Sequence, residues 1–337
     1  MKAFLQKKDI VISFKRYAID AMGTMTLGLF ASLIIGLIFT EIGNRAGIEL
    51  LQQIGSFASS ATGYAMGVAI AYGLKAPPLV LFSAAAVGFA ANTYYRGGPV
   101  AALVATIIAV ELGKLVSKET KVDIIVTPVV TLASGIGIAM LIGAPIGRFM
   151  DMIGSFIMWS TDLMPAVMGG IVATIMGVTL TSPISSAAIA ISLNLEGVAA
   201  GAAVAGTAAQ MVSFAVISYR ENKVGGLLSQ GIGTSMLQLP NIMKNPRIWI
   251  PPTIASAVAG VISAAVFTME SNRYGAGMGT SGLVGQFNTL TVMGFTPTVF
   301  IQIGIVHFLI PAIVSLAISE WMRKKGWIKF GDMKLAA

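Results

Sequence analysis

Apolar residues along this chain fall in long unbroken runs instead of alternating or helical-period stripes, the pattern of elements that are apolar on every side. The runs cover residues 17–40, 56–72, 79–92, 99–116, 124–146, 165–180, 197–219, 250–269 and 297–319. Most approach the ~20 residues that a helix needs to cross roughly 30 Å of hydrocarbon. Residues 184–194 are too short to cross upright and predict a broken or re-entrant helix, while residues 225–245, interrupted by Gly231, Gly233 and Pro240, fit a hairpin or an amphipathic segment better than a full span. Residues 148–162, with Trp159, read as an interfacial segment. The expectation is an all-α, polytopic transmembrane protein of about ten spans with re-entrant hairpins. Long continuous runs argue against a β-barrel, whose strands are short and alternating.

Composition agrees with that reading. Of 337 residues, 55% are hydrophobic and 11% charged, with mean hydropathy +0.83, whereas soluble domains carry about 25% charge. The chain is therefore expected to form one transmembrane domain over residues 1–337, with an N-terminal segment 1–16, a membrane part 17–319 and a basic tail 320–337. The first run is too long for a signal-peptide core and reads as an uncleaved span. The net charge of +8 lies in clusters beside apolar runs: Lys2, Lys7, Lys8, Lys15 and Arg16; Lys114, Lys118 and Lys121; Arg220 and Lys223; Arg323, Lys324, Lys325, Lys329 and Lys334. Such clusters fit cytoplasmic loops on an anionic membrane better than nucleic acid, and they predict two cytoplasmic termini with an even number of crossings. The chain has no cysteine, which excludes disulfides, thiolate metal sites and thiol nucleophiles.

The most specific sequence signal is a repeat. Gly231-Ile232-Gly233-Thr234-Ser235-Met236-Leu237 recurs as Gly277-Met278-Gly279-Thr280-Ser281-Gly282-Leu283, offset by 46 positions, and Pro251 and Pro297 share that offset. The unit is a Gly-rich turn, a short apolar segment and a span opened by proline. A single crossing between the copies would invert the second, as in inverted repeats whose broken helices meet a solute near mid-membrane. A Gly-Thr-Ser turn offers free N–H groups and hydroxyls to a solute, and it equally suits a capped loop.

Three further positions carry chemistry. Asn194-Leu195-Glu196-Gly197 places a carboxylate between a short apolar segment and a long span, as a solute ligand or as an interfacial residue. Glu111, near Lys114 and Lys118, reads as interfacial. His307, the single histidine, precedes Pro311 by four residues; the proline frees the His307 carbonyl and predicts a bend, with the imidazole either packed against a neighbour or facing solute. Gln286 and Asn288 follow the second turn. The candidate substrate-binding set is thus Asn194, Glu196, Thr234, Ser235, Thr280, Ser281, Gln286, Asn288 and His307. No Walker loop, catalytic triad, metal cluster or cofactor motif is present, so catalytic residues, metal and cofactors are all expected to be absent.

The Gly277 to Gly285 stretch, the proline-opened spans and the Ala-rich segments resemble the phosphotransferase-system EIIC family, which includes PfoR-like toxin regulators, over nearly the whole chain. That resemblance implies the membrane-embedded permease subunit of a sugar phosphotransferase system, a homodimer in the bacterial plasma membrane that translocates a small polar solute, with carbohydrate expected. Phosphoryl transfer would come from separate IIA and IIB proteins. In sugar-transporting relatives a Gly-x-x-Glu-Pro motif holds a sugar-binding glutamate; Asn194-Leu195-Glu196-Gly197 is similar but lacks the proline. A non-transporting membrane sensor or regulator, and a solute carrier independent of phosphorylation, are the alternatives on the same fold.

Overall fold

A computed structural model describes residues 2–95, 97–161 and 163–335. The regular elements among them are helical, with one isolated bridge between Gly197 and Ser271. The chain divides into two compact units, Met1–Phe149 and Met150–Ala337.

The first unit holds α1 (Lys2–Lys7), α2 (Lys15–Asn44), α3 (Glu49–Ser60), α4 (Thr62–Gly73), α5 (Pro78–Tyr94), α6 (Gly98–Val116) and the first part of α7 (Asp123–Thr161). The apolar run at residues 56–72 is not one helix, because the chain turns at Ala61. Ser60 Oγ donates to Phe57 O (2.8 Å) and Thr62 Oγ1 to Ser59 O (2.6 Å), so hydroxyls compete for the carbonyls that would continue the helix. Conversely, α7 runs through Arg148 to Thr161 without a break, and the expected interfacial segment is its second part; Asp162 lies outside the described residues.

Lys114 corrects the charge reading. Lys118 and Lys121 are exposed, as a charged loop requires, but Lys114 in the last turn of α6 is only 2% exposed. Its ammonium donates to Asp9 O (3.2 Å) and to Leu74 O, and lies 3.8 Å from Glu111. Arg16 Nη2 donates to the same Leu74 carbonyl (2.7 Å) and to Asp9 Oδ2 (2.6 Å). Leu74 ends α4, where carbonyls lack helical partners and the helix dipole favours a cation, so two cations settle on one orphan carbonyl.

The second unit contains α8 (Pro165–Thr181), α9 (Ser186–Ser192), α10 (Gly197–Ile217), α11 (Tyr219–Leu228), α12 (Leu239–Lys244), α13 (Pro246–Ala265), α14 (Val284–Met293) and α15 (Pro297–Lys324). Pro165 supplies a preset first turn for α8, and Asn194 and Gly197, both at positive φ, fold the chain sharply into α10. α10 is almost wholly buried between α8, α13 and α15. Small residues permit this. A Cβ at Gly206 would lie 2.0 Å from Ala173 O, and one at Gly260 would lie 2.2 Å from Gly169 O, so the backbones touch where any side chain would separate them. In α15 the turn before Pro311 widens into a π-helical segment, Gly304–Leu309, which accommodates the missing proline N–H at the place where a bend was expected.

Among the described residues, six helices are long and apolar enough to cross a membrane: α2, α6, the Asp123–Phe149 part of α7, α10, α13 and α15. α5 and α8 are shorter apolar helices.

Gly206→Val should destabilise the second unit by about 2 kcal/mol or more through overpacking, whereas Gly225→Ala, with open space around the added Cβ, should leave the melting temperature in detergent nearly unchanged. Asp9 provides a pH test. The hydrogen bond from Arg16 holds its carboxyl below the usual range, so its stabilising contribution is present above the unfolded value of about 3.9 and is lost as pH falls through the lower folded value. Asp9→Asn should lower the melting temperature at pH 6 and shrink the fall that the native chain undergoes below about pH 4.

Candidate functional site

Two hairpins approach the middle of α10 from its two ends. The first leaves the C-terminal end of α10 through α11, and Gln230 Nε2 in its π-helical segment Ser229–Gly233 donates to Ser218 Oγ (2.9 Å). That segment runs back along α10, with Gly231 facing Ala215, and reaches the level of Gln210. There Ser235 Oγ lies 2.7 Å from Thr181 Oγ1, which donates to Gln210 Oε1 (3.1 Å). α12 then returns the chain, and Ile242 and Ile248 pack with Phe214 and Ile217 at the end where the hairpin began.

The second hairpin starts from the other end. α13 runs antiparallel to α10: Ser256 Oγ donates to Gly206 O (3.0 Å), Met269 O packs over Gly201, and Ser271 N–H donates to Gly197 O (3.1 Å). The turn then dips along α10 until Gly279, at φ +54, touches the backbone of Thr207 and Ala208. Thr280 Oγ1 donates to Met211 Sδ (3.4 Å). α14 leads back, and Met293 Sδ accepts from Glu270 N–H (3.2 Å) near the starting end. The two tips, Ser229–Gly233 and Ser281–Leu283, are neighbours.

The paired turns differ in detail. Thr234 is a cap, its Oγ1 accepting from Met236 N–H (3.1 Å), so its hydroxyl serves the local fold. Thr280 makes no such capping bond, and Gly282 and Leu283 both adopt left-handed conformations, which leaves the second turn less regular. Asn288 donates to Val284 O (2.8 Å) and packs on Gly275, a structural position within α14.

Gln286 and His307 form a buried pair, with Gln286 Nε2 3.2 Å from His307 Nδ1. The neighbouring Val306 packs with Ala205 and Ala209, which sets this pair beside the middle of α10. Gln286 Oε1, His307 Nε2 and Ser281 Oγ are buried without a hydrogen-bond partner. For a neutral imidazole, either orientation of the Gln286 amide leaves one donor atom and one acceptor atom without any partner.

Asn194 and Glu196 lie elsewhere. Both are exposed at the N-terminal end of α10, about 16 Å along the helix from Thr207. Arg273 Nη1 donates to Asn194 Oδ1, and Arg273 Nε lies 4.0 Å from Glu196 Oε1. The structure thus groups Thr234, Ser235, Thr280, Ser281, Gln286 and His307 around the centre of α10 and separates Asn194 and Glu196 from them.

Sequence reasoning missed Gln210, the hub of the first turn. Its Oε1 accepts from Thr181 Oγ1 and from Trp249 Nε1 (3.2 Å), while its Nε2 donates to Thr253 Oγ1 (3.4 Å). A lone glutamine in a run of Ala, Gly and Val was the available signal, since a polar side chain at membrane depth needs internal partners. Arg273 was missed because its partners are assembled only by the fold.

Gln210→Leu should cost about 1–3 kcal/mol, because the Trp249 indole N–H loses its buried acceptor. Thr181→Val and Ser235→Ala should be less than additive when combined, with a coupling of about 0.5–1.5 kcal/mol in detergent unfolding, because both remove one shared hydrogen bond.

The profile of the family described as "Phosphotransferase system, EIIC" matches residues 19–335. Comparison with curated proteins and with solved structures returns no match. A match over that length, on a chain whose described residues include six helices apolar enough to cross a bilayer, makes this a multi-pass membrane protein belonging to the phosphotransferase system EIIC family.

Proposed function

We propose that the protein is a permease subunit that carries a small neutral polyhydroxylated solute, of the carbohydrate class, through a site between the two hairpin tips. The observation that carries this reading is the set of buried unpartnered atoms, Ser281 Oγ, Gln286 Oε1 and His307 Nε2, beside the place where the tips meet. Each such atom costs about 1–3 kcal/mol if left unsatisfied. A sugar hydroxyl both donates and accepts, so one hydroxyl can complete the donor and the acceptor left by the Gln286–His307 pair. Ser235, Thr280, Ser281, Gln210 and Gln286 are uncharged, which suits a neutral solute.

The basic residues Arg220, Lys223, Lys244, Arg247, Arg323, Lys324 and Lys325 belong to elements at the C-terminal end of α10. The positive-inside rule makes that end cytoplasmic. The first hairpin is then re-entrant from the cytoplasm and the second from outside, an inverted pair of units in a chain of about ten membrane-penetrating segments with both termini cytoplasmic. Asn194, Glu196 and Arg273 form a polar group at the outer mouth. Asn288 serves the fold of the second hairpin, and Thr234 shapes the first turn. Phosphorylation of the arriving solute falls to separate IIA and IIB proteins, and the protein works as a homodimer.

Single cysteines at Ser235 and Ser281 in this cysteine-free chain should react with impermeant thiol reagents from the cytoplasmic and external sides respectively. A sugar found by thermal-shift screening should protect both, and at a hundred times its Kd should stabilise the fold by about 2.7 kcal/mol. Ser281→Ala should weaken that sugar's binding about tenfold or less, the value of one hydrogen bond. Labelling of both positions from one side would sink the inverted arrangement. Sugar binding without uptake in vesicles holding the IIA and IIB proteins would favour a sensor.

A further inference from the structure

Beyond Lys324 the chain does not trail away as a solvated basic tail. Gly326, at φ +72, reverses it, and Ile328 and Met333 bury themselves among Ile217, Ile242, Ile248 and Met322. Its main chain is held by amide side chains of the first hairpin. Asn222 Nδ2 donates to Met333 O (2.8 Å) while Asn222 Oδ1 accepts from Leu335 N–H (2.9 Å). Gln238 Nε2 also donates to Met333 O (2.8 Å), Asn241 Nδ2 to Lys334 O (2.9 Å), and Asn245 Nδ2 to Trp327 O (3.1 Å). The lysine side chains stand apart from this docking: Lys329 and Lys334 are exposed, and Lys334 contributes only its carbonyl. Positive charge explains which side of the membrane the segment occupies, and leaves its amide clamp unexplained.

We propose that residues 326–335 are a strap that holds the first hairpin closed at the C-terminal end of α10, and that release of the strap opens the Thr234–Ser235 turn from that side. The hairpin is built from short pieces, a ten-residue α11 with Lys223 at φ +53, a π turn, a 3-10 turn and a six-residue α12. Helices this short are not stable by themselves. Gln238 links the strap to the turn directly, because the amide that donates to Met333 O also donates to Gln230 Oε1 (2.9 Å), within the π segment leading to the tip. The hinge of the strap is tied down at its base by Glu221, which is buried, accepts from Arg323 Nη2 (2.9 Å) and receives Gly331 N–H at 3.4 Å. Opening at the strap breaks the five amide-to-main-chain bonds, the Glu221 contact and the burial of Ile328 and Met333. Opening elsewhere would have to part the backbone contacts of α8, α10 and α13, so the strap is the weaker closure.

The strap governs access and is independent of what the turn binds, so its test reads chemical reactivity and not transport. In the full-length cysteine-free protein, maleimide labelling at Met236→Cys, a buried position beside the first turn, is compared with labelling at Ala203→Cys in α10. Met333→Asp should accelerate labelling at Met236→Cys at least tenfold and leave the Ala203→Cys control unchanged. Met333→Ala, which keeps every main-chain bond, should give a smaller rise. A synthetic peptide of residues 326–335 added in trans should restore protection to the Met333→Asp protein. An unchanged rate at Met236→Cys, an equal rise at the control, or a rise that the peptide does not reverse would overturn the strap.

Discussion

Backbone contact between α8, α10 and α13 is the constraint on which the second unit depends. In hydrocarbon, apolar side chains gain little by leaving lipid for a neighbouring helix, so association rests on close van der Waals fit and on hydrogen bonds between helices. Glycine at 169, 206 and 260 lets carbonyls of one helix reach the axis of the next. The same closeness lets Ser256 donate directly to Gly206 O. Once α10 is enclosed in this way, its polar residues Thr207 and Gln210 face protein instead of lipid, and short irregular segments can be laid against them.

That enclosure makes the hairpin tips admissible. Turns with left-handed residues and incomplete helical bonding leave polar backbone groups that lipid would not tolerate, but here they rest on α10 and on each other. The first tip is almost fully satisfied through Thr181, Gln210 and the Thr234 cap. The second retains orphan atoms at Ser281 and, nearby, at Gln286 and His307. Two copies of one sequence motif have thus been given unequal hydrogen-bonding states by their surroundings.

Charge is handled by a common device in the two units, each considered by itself. In the first, Arg16 and Lys114 close on the carbonyl of Leu74 at the end of α4. In the second, Arg323 donates to Ile217 O at the end of α10 and to the buried Glu221. In both, a cation from a distant part of the chain satisfies a helix C-terminus, where the orphan carbonyls and the dipole concentrate negative potential. The cost of burying such a cation is offset only while its partners stay in place, which makes each contact a tether as well as a cap.

Continuous apolar runs determined the all-α class, the positions of the long apolar helices and the short α9, because hydropathy and proline or glycine punctuation act locally and need no knowledge of neighbours. The 46-residue repeat likewise named both turns. Tertiary structure alone decided that Lys114 is buried while Lys118 is not, that Ala61 interrupts an apolar run, that Glu196 lies far from the turns it was grouped with, and that the basic tail is docked through its main chain. Each of these depends on which polar group finds a partner across the fold, at a separation of 40 residues for Lys114 with Leu74 and 95 for Gln238 with Met333. Burial of apolar surface sums over a segment and can be read from that segment, whereas a hydrogen bond needs two atoms within about 3 Å, and only the folded chain brings them together.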